Sequence, residues 1–209
     1  MRTVYTAILS NYDDLKEPTV ISPGWQYICF TDQPLVSDVW QIKHIEPGND
    51  PQRTAREIKI MFHNHIDTDE SMWIDGTFKI NINLDMIWRH FKEPFTAPRH
   101  PIRHCVYDEI HSCIANGRGN SSELLAQEQE YKRLGVPRFA DNIITSGLLL
   151  RNKKAIPLCE AWWAEMQGRS VRDQVAFARV CAGFEWHNIR WDYTQQNDLK
   201  HIPHFKFRH

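Results

Sequence analysis

Four polar segments stand at or near the ends of strand-like apolar runs, where an open α/β sheet gathers its ligands. Asn11-Tyr12-Asp13-Asp14 follows the first run, Thr31-Asp32 the second, and Asp75-Gly76-Thr77 follows Met72-Trp73-Ile74. Thr145-Ser146-Gly147 lies within a later one. Three of the four carry a carboxylate. Aspartate and glycine also favour turns in their own right, so one such end says little. Asp75 says more, because it directly follows Trp-Ile, where a carboxylate is poorly solvated unless it meets a cation or hydrogen-bond donors.

Three further clusters could supply the complement. Arg53, Arg56, Lys59 and His63 recur at helical spacing, on a stripe roughly 100° from an apolar one. That pattern is either a solvated face with snorkelling stems or a positive wall suited to phosphate oxygens. His100-Pro101-Ile102-Arg103-His104 precedes Tyr107-Asp108-Glu109 at a helix start, a reasonable anion site with no ligand spacing typical of zinc. Ser170-Val171-Arg172-Asp173-Gln174 reads as a capping box, or as a carboxylate and an amide able to hold a sugar hydroxyl.

These groups need a scaffold. Alternation predicts strands at Thr3 to Ser10, Tyr27 to Thr31 and Val39 to Ile45, and a short apolar run at Ser71 to Ile74. The near-continuous apolarity of Ile143 to Leu150 predicts a strand buried on both faces, as in a parallel sheet. Helices are expected at Gln52 to Ile66, with Ala55, Ile58, Phe62 and Ile66 inward, and at Leu84 to Phe91, Val106 to Ala115, Ser122 to Leu134, Ala155 to Met166 and Val171 to Cys181. Strands alternating with helices give a layered α/β fold with a mixed, mostly parallel sheet. The 209 residues, 42% hydrophobic, are expected to form one domain over 1–209, ending in a basic, aromatic tail at 191–209.

Composition excludes some classes. Lys plus Arg total 25 against 26 for Asp plus Glu, a net charge of −1, so no global basic field attracts nucleic acid. The five scattered cysteines indicate neither a disulfide framework nor a zinc knuckle. No apolar run approaches a membrane span and the first residues do not read as a secretory signal, so a cytoplasmic protein is expected.

The segments VYTAILSNYDDLKEP, ICFTD, AREIK, MWIDGTFKI, HPIRHCVYDEI, QEQEY, WW at 162–163 and RDQVAF, in this order, resemble the glycosyltransferase-like domain shared by plant mucilage-related proteins and a plant protein described as an alkaline ceramidase. The resemblance reaches about residue 184 and implies a GT-A fold. More distantly, ID at a strand end, NIITSGLLLR and then DQ resemble the glycogenin and galactosyltransferase type. There the first Asp of Asp-x-Asp meets ribose or metal, the second binds Mn²⁺ or Mg²⁺, and the late Asp-Gln lies by the reacting sugar. This chain departs from that pattern by reading Asp75-Gly76-Thr77. Either Asp75 holds the ion with help from elsewhere, His204 being one candidate, or Arg and His neutralise the diphosphate without a tight metal.

The resemblance thus implies a UDP- or GDP-sugar donor, an Mn²⁺ or Mg²⁺ cofactor, and a glycan, lipid-linked or protein acceptor. Tyr12, Asp13 and Asp32 are assigned to base and ribose, and Arg56, Lys59, His100 and Arg103 to phosphates. Asp75 would meet metal or ribose. Asp173 would be the base of an inverting reaction, and Gln174 or Asp173 would flank the sugar in a retaining one. Two alternatives stand beside this reading. One is a metal-dependent, ceramidase-like hydrolase, which needs three protein ligands around an ion, and the other is a non-catalytic nucleotide-sugar-binding module.

Overall fold

The computed structural model describes residues 1–138 and 142–189. His204 and the rest of the tail lie outside them. Seven strands form one sheet: β1 (Arg2–Ile8), β2 (Trp25–Thr31), β3 (Gln41–His44), β4 (Glu70–Ile74), β5 (Phe95–Pro98), β6 (Leu148–Asn152) and β7 (His187–Ile189). Their order is β3-β2-β1-β4-β6-β5-β7. All run parallel except β6, which pairs antiparallel with β4 on one side and β5 on the other. The mixed, mostly parallel α/β arrangement is therefore the one expected.

Period-two alternation divides the strands between two cores. Val4, Ile8, Tyr27, Cys29, Met72, Ile74, Leu148 and Leu150 bury against one layer, where Trp40, Phe78, Leu84 and Trp88 cover them. Tyr5, Ile28, Phe30, Trp73 and Leu149 face the other, beneath Ile58, Phe62, Trp162 and Phe177. The helices are α1 (Pro51–Ile60), α2 (Asp85–Trp88), α3 (Val106–Ala115), α4 (Ser121–Arg133), α5 (Ile156–Met166) and α6 (Asp173–Val180). α1, α5 and α6 cover the second layer, whereas the first is closed largely by irregular chain around the short α2. α3 and α4 pack beyond α6 through Val106, Ile110, Leu124, Tyr131 and Val175.

Some boundaries differ from expectation for local reasons. Asp50 accepts from the Arg53 amide and Pro51 opens α1, a favoured helix start. Met61, at φ −85° and ψ 47°, then stops it, and Phe62–Asn64 continue as a 3-10 turn. Ile58, Phe62 and Ile66 are buried as expected. The Ile143 to Leu150 strand is displaced to Leu148–Asn152 and runs antiparallel. It is nonetheless buried throughout, because burial depends on layers on both faces and not on strand direction. The Leu84 to Phe91 helix shrinks to the single turn of α2. All five cysteines are free and buried, and burial pushes the Cys29 and Cys181 thiols up to about 12. Among the described residues no helix is long and apolar enough to cross a membrane.

Candidate functional site

Because β6 is reversed, its first residues meet the carboxyl ends of β1, β2 and β4 at one rim. The Asp75 amide donates to the Gly147 carbonyl there at 2.9 Å. A cavity of about 560 Å³ opens at this rim, lined among others by Tyr12, Asp13, Arg56, Trp73, Asp75, Thr77, Arg118 and Arg172. Its size suits a small-molecule ligand.

Asp75 is held from within the fold. Period two puts Trp73 on its side of β4, and the Trp73 indole N–H donates to Asp75 Oδ1 at 2.8 Å. Lys59 Nζ lies 3.4 Å from the same oxygen. A Cβ added at Gly147 would stand 3.2 Å from Asp75 Oδ2 and 3.0 Å from the Phe78 ring, so the backbone must approach here without a side chain. Asp13 faces the same cavity from the loop after β1, and a Cβ on Gly76 would sit 3.2 Å from its Oδ2. Burial raises the Asp13 pKa, Lys16 opposes the rise, and the negative charge of Asp75 adds to it.

Beneath the cavity wall lies a buried charge cluster. Asp173, 2% exposed, accepts from Lys59 Nζ at 2.7 Å and from Ser146 Oγ at 2.8 Å on Oδ2, and from the Gln174 amide on Oδ1. Arg56 Nε approaches to 3.7 Å. Burial alone would raise the Asp173 carboxyl, but Lys59, then Arg56 and Arg172, hold it far below the usual carboxylate range.

The stripe from Arg53 to His63 faces protein instead of solvent. Arg53 donates to the Met166 and Arg169 carbonyls past the end of α5, Arg56 and Lys59 meet Asp173, and His63 lies 3.8 Å from Glu160. Arg56 also reaches the cavity. Lys59, assigned to phosphates from the sequence, is 1% exposed and does not line it; its ammonium pairs with two aspartates. Asp173 and Gln174 are likewise absent from the cavity lining. The Gln174 side-chain Nε2 donates to the Ile144 carbonyl at 2.6 Å.

Ser170 does not act as a capping box with Asp173. Its hydroxyl donates to Gln127 Oε1, and Gln127 in turn donates to the Tyr131 hydroxyl, which donates to Glu165. The QEQEY segment thus fixes the turn that delivers Arg172 and Asp173.

Asp32, His100 and Arg103 are also placed apart from the cavity. Asp32 does not line the cavity. Its carboxylate accepts from the Ser10 amide at 2.9 and 3.0 Å, clamping a loop in which Ser10 and Asn11 take the left-handed φ values of 52° and 56°. Hydrogen bonds from Gln33 and the Ser10 amide lower its pKa. His100 and Arg103 are also away from the cavity. Buried His100 accepts the Ile102 and Arg103 amides on Nδ1, and Arg103 pairs with Glu109 and donates to Ser112 at 3.2 Å. Position-by-position reading missed Glu109 as the partner of Arg103. It also missed Arg118, and it noted Arg172, Trp73 and Ser146 within their segments without giving them a role, although Trp73 was detectable from its two-residue spacing to Asp75.

Burial, with help from Arg103, lowers the His100 pKa to about 4. A histidine kept neutral in the fold but free to charge when unfolded contributes stability that is whole above its ordinary pKa of about 6.5 and is lost as pH falls toward the folded value. His100→Asn retains an acceptor for the two amides, and is expected to flatten the stability profile between pH 4 and about 6.5, measured by urea unfolding across that range.

The family model for the TOD1/MUCI70, glycosyltransferase-like domain matches residues 32–202. No curated protein matches the chain significantly. Among solved structures the chain is similar to the galactosyltransferase LgtC, crystallised with donor and acceptor sugar analogues. The identity is 11%, the match covers 89% of this chain and 73% of that one, and the TM-score is 0.46.

Proposed function

The chain belongs to the TOD1/MUCI70 glycosyltransferase-like family, and from that premise we propose that residues 1–209 act as one domain that binds a nucleotide sugar at the rim cavity and transfers the sugar to a hydroxyl of a glycan, lipid-linked or protein acceptor. The observation that carries this reading is the convergence of Asp13 and Asp75 with Arg56 and Arg172 on one cavity at the strand ends. Transfer breaks the bond between the anomeric carbon and the diphosphate while an acceptor oxygen bonds to that carbon and gives up its proton to the departing diphosphate or to solvent. Such a site must orient the sugar and take up the charge left on the diphosphate. The guanidinium groups of Arg56 and Arg172 present paired N–H donors to the phosphate oxygens. Exposed Tyr12 offers a ring for the base. Lys59 and Trp73 fix the orientation of Asp75, and Asp173 anchors Lys59.

The donor set also fits a divalent ion. A hard cation such as Mg²⁺ is commonly bound through one or two carboxylates together with substrate phosphates. Asp75 and Asp13 are two carboxylates facing one cavity, and the charge of Asp75 raises the cost of ionising Asp13. The second carboxylate would then come from the loop after β1, and position 77 would not have to supply it. A bound Mn²⁺ or Mg²⁺ would add neutralising charge beside the departing diphosphate.

The test is a panel of UDP- and GDP-sugars with Mn²⁺ or Mg²⁺, read by thermal shift and by nucleotide release with sugar acceptors. Binding raises stability by mass action. Stabilisation by a nucleotide together with release supports transfer, and failure of every donor to bind overturns it. Stabilisation without release favours the non-catalytic module. That second reading has its own support in the seclusion of Asp173, which leaves the late Asp-Gln pair without access to a sugar. The hydrolase reading finds no group of three His, Cys, Asp or Glu side chains poised for a metal among the described residues.

A further inference from the structure

Two buried acids on the α6 side of the cavity are outnumbered by cations. Glu109, 1% exposed, lies between Arg103 and Arg172, with Arg172 Nη2 at 3.5 Å. Asp173 lies between Lys59 and Arg56. Each carboxylate is shared by two positive groups, and Arg56 and Arg172 carry these shared pairs to the cavity wall. A third guanidinium joins them from a different element. The turn Gly117-Arg118-Gly119 leaves the end of α3 with both glycines at positive φ, 64° and 88°, and its backbone is tied down by the Arg118 amide donating to the Cys113 carbonyl at 2.8 Å. A Cβ on Gly119 would lie 3.3 Å from Arg172 Cγ, so the turn packs directly against the Arg172 stem. Arg118 is exposed, and its guanidinium has no hydrogen bond or ion pair among the described residues, while all three residues of the turn line the cavity.

We infer that Arg56, Arg118 and Arg172 form a guanidinium clamp for a diphosphate group, which already holds that group in the absence of a divalent ion and to which an ion at Asp75 and Asp13 would add. Three planar, permanently charged forks from α1, the α3–α4 turn and the start of α6 surround an anion with paired N–H donors. Arg56 and Arg172 are held in place by Asp173, Glu109 and Gln174, whereas Arg118 is the group left to close on the ligand. This deepens the nucleotide-sugar reading and rests on it for the identity of the physiological ligand, but the clamp itself is a property of the anion site.

The test is calorimetric titration of inorganic pyrophosphate, UDP and GDP into the full chain, in EDTA and separately in Mg²⁺. Pyrophosphate and at least one nucleotide are expected to bind in EDTA. Arg118→Ala should weaken both by about 10- to 100-fold, as loss of hydrogen bonds to a charged group does, with Arg118→Lys recovering only part because an ammonium lacks the fork. Arg133→Ala, which removes an exposed charge at the end of α4, should leave binding unchanged. Arg118 holds no other part of the fold among the described residues, so an unaltered melting temperature should accompany the loss. Nucleotide binding that needs Mg²⁺ and ignores Arg118→Ala overturns the clamp while leaving the nucleotide-sugar reading intact. Pyrophosphate binding that depends on Arg118, with no nucleotide bound under either condition, supports the clamp and overturns that reading.

Discussion

Asp173→Ala is expected to destabilise the protein by about 3–5 kcal/mol, the cost typical of breaking a buried ion pair by removing one partner. The reason is what remains: Lys59, 1% exposed, loses its 2.7 Å partner and keeps only the more distant Asp75 carboxylate, while Ser146 loses its acceptor. For a chain of this size that corresponds to a fall of roughly 6–20 °C in melting temperature, read by calorimetry. Lys59→Met combined with Asp173→Leu should recover part of it, since an apolar pair leaves no stranded charge. The acid limb gives a second readout. The folded Asp173 carboxyl lies well below its ordinary value, so its stabilisation is complete above about pH 4 and is lost as pH falls below that toward the folded value. Asp173→Asn should therefore lose less stability on acidification than the parent protein. A parallel acid limb in the two proteins would contradict the ion-pair account.

Asp75→Asn should spare the fold and cripple the site. The amide oxygen can still accept from the Trp73 indole, and the position is partly exposed, so melting should change little. Divalent-dependent nucleotide binding and sugar transfer should fall by at least about 100-fold, the upper end of the loss seen when even a group outside the metal's own ligand shell is removed. Asp13→Asn should produce a loss in the same direction if both carboxylates serve one ion. The measurement is the Mn²⁺ or Mg²⁺ dependence of nucleotide affinity in the three proteins. An Asp75→Asn protein with unchanged affinity and turnover would remove the centre of the proposed site.

The strand core was legible because alternation in VYTAI, WQYICF and MWI assigns faces directly, and Val4 and Tyr5 fall into opposite layers as the pattern requires. The direction of β6 was not legible, since a wholly apolar run carries no mark distinguishing parallel from antiparallel pairing. β5 and β7 were missed. The first is four residues bounded by prolines and the second three partly exposed ones, too short for periodicity to register. Within the site, Asp75 was readable from its apolar neighbours, and Asp13 and Arg56 from their positions. Three of the assigned cations lie apart from the cavity for one reason. Lys59, His100 and Arg103 look like free cations in sequence, but each has an internal partner supplied by a distant segment or a backbone turn. Sequence proximity suggested cations gathered for phosphate, whereas burial decides whether a cation has charge left to offer.

The wiring of Asp173 also bears on how the protein is made. Its partners Arg56, Lys59 and Ser146 all precede it in the chain, so during synthesis Lys59 sits in an unfinished layer without its main counter-ion until α6 has left the ribosome. Up to that moment the ammonium favours water over burial. Closure of the α1 layer, and with it ligand competence, should wait for the emergence of α6.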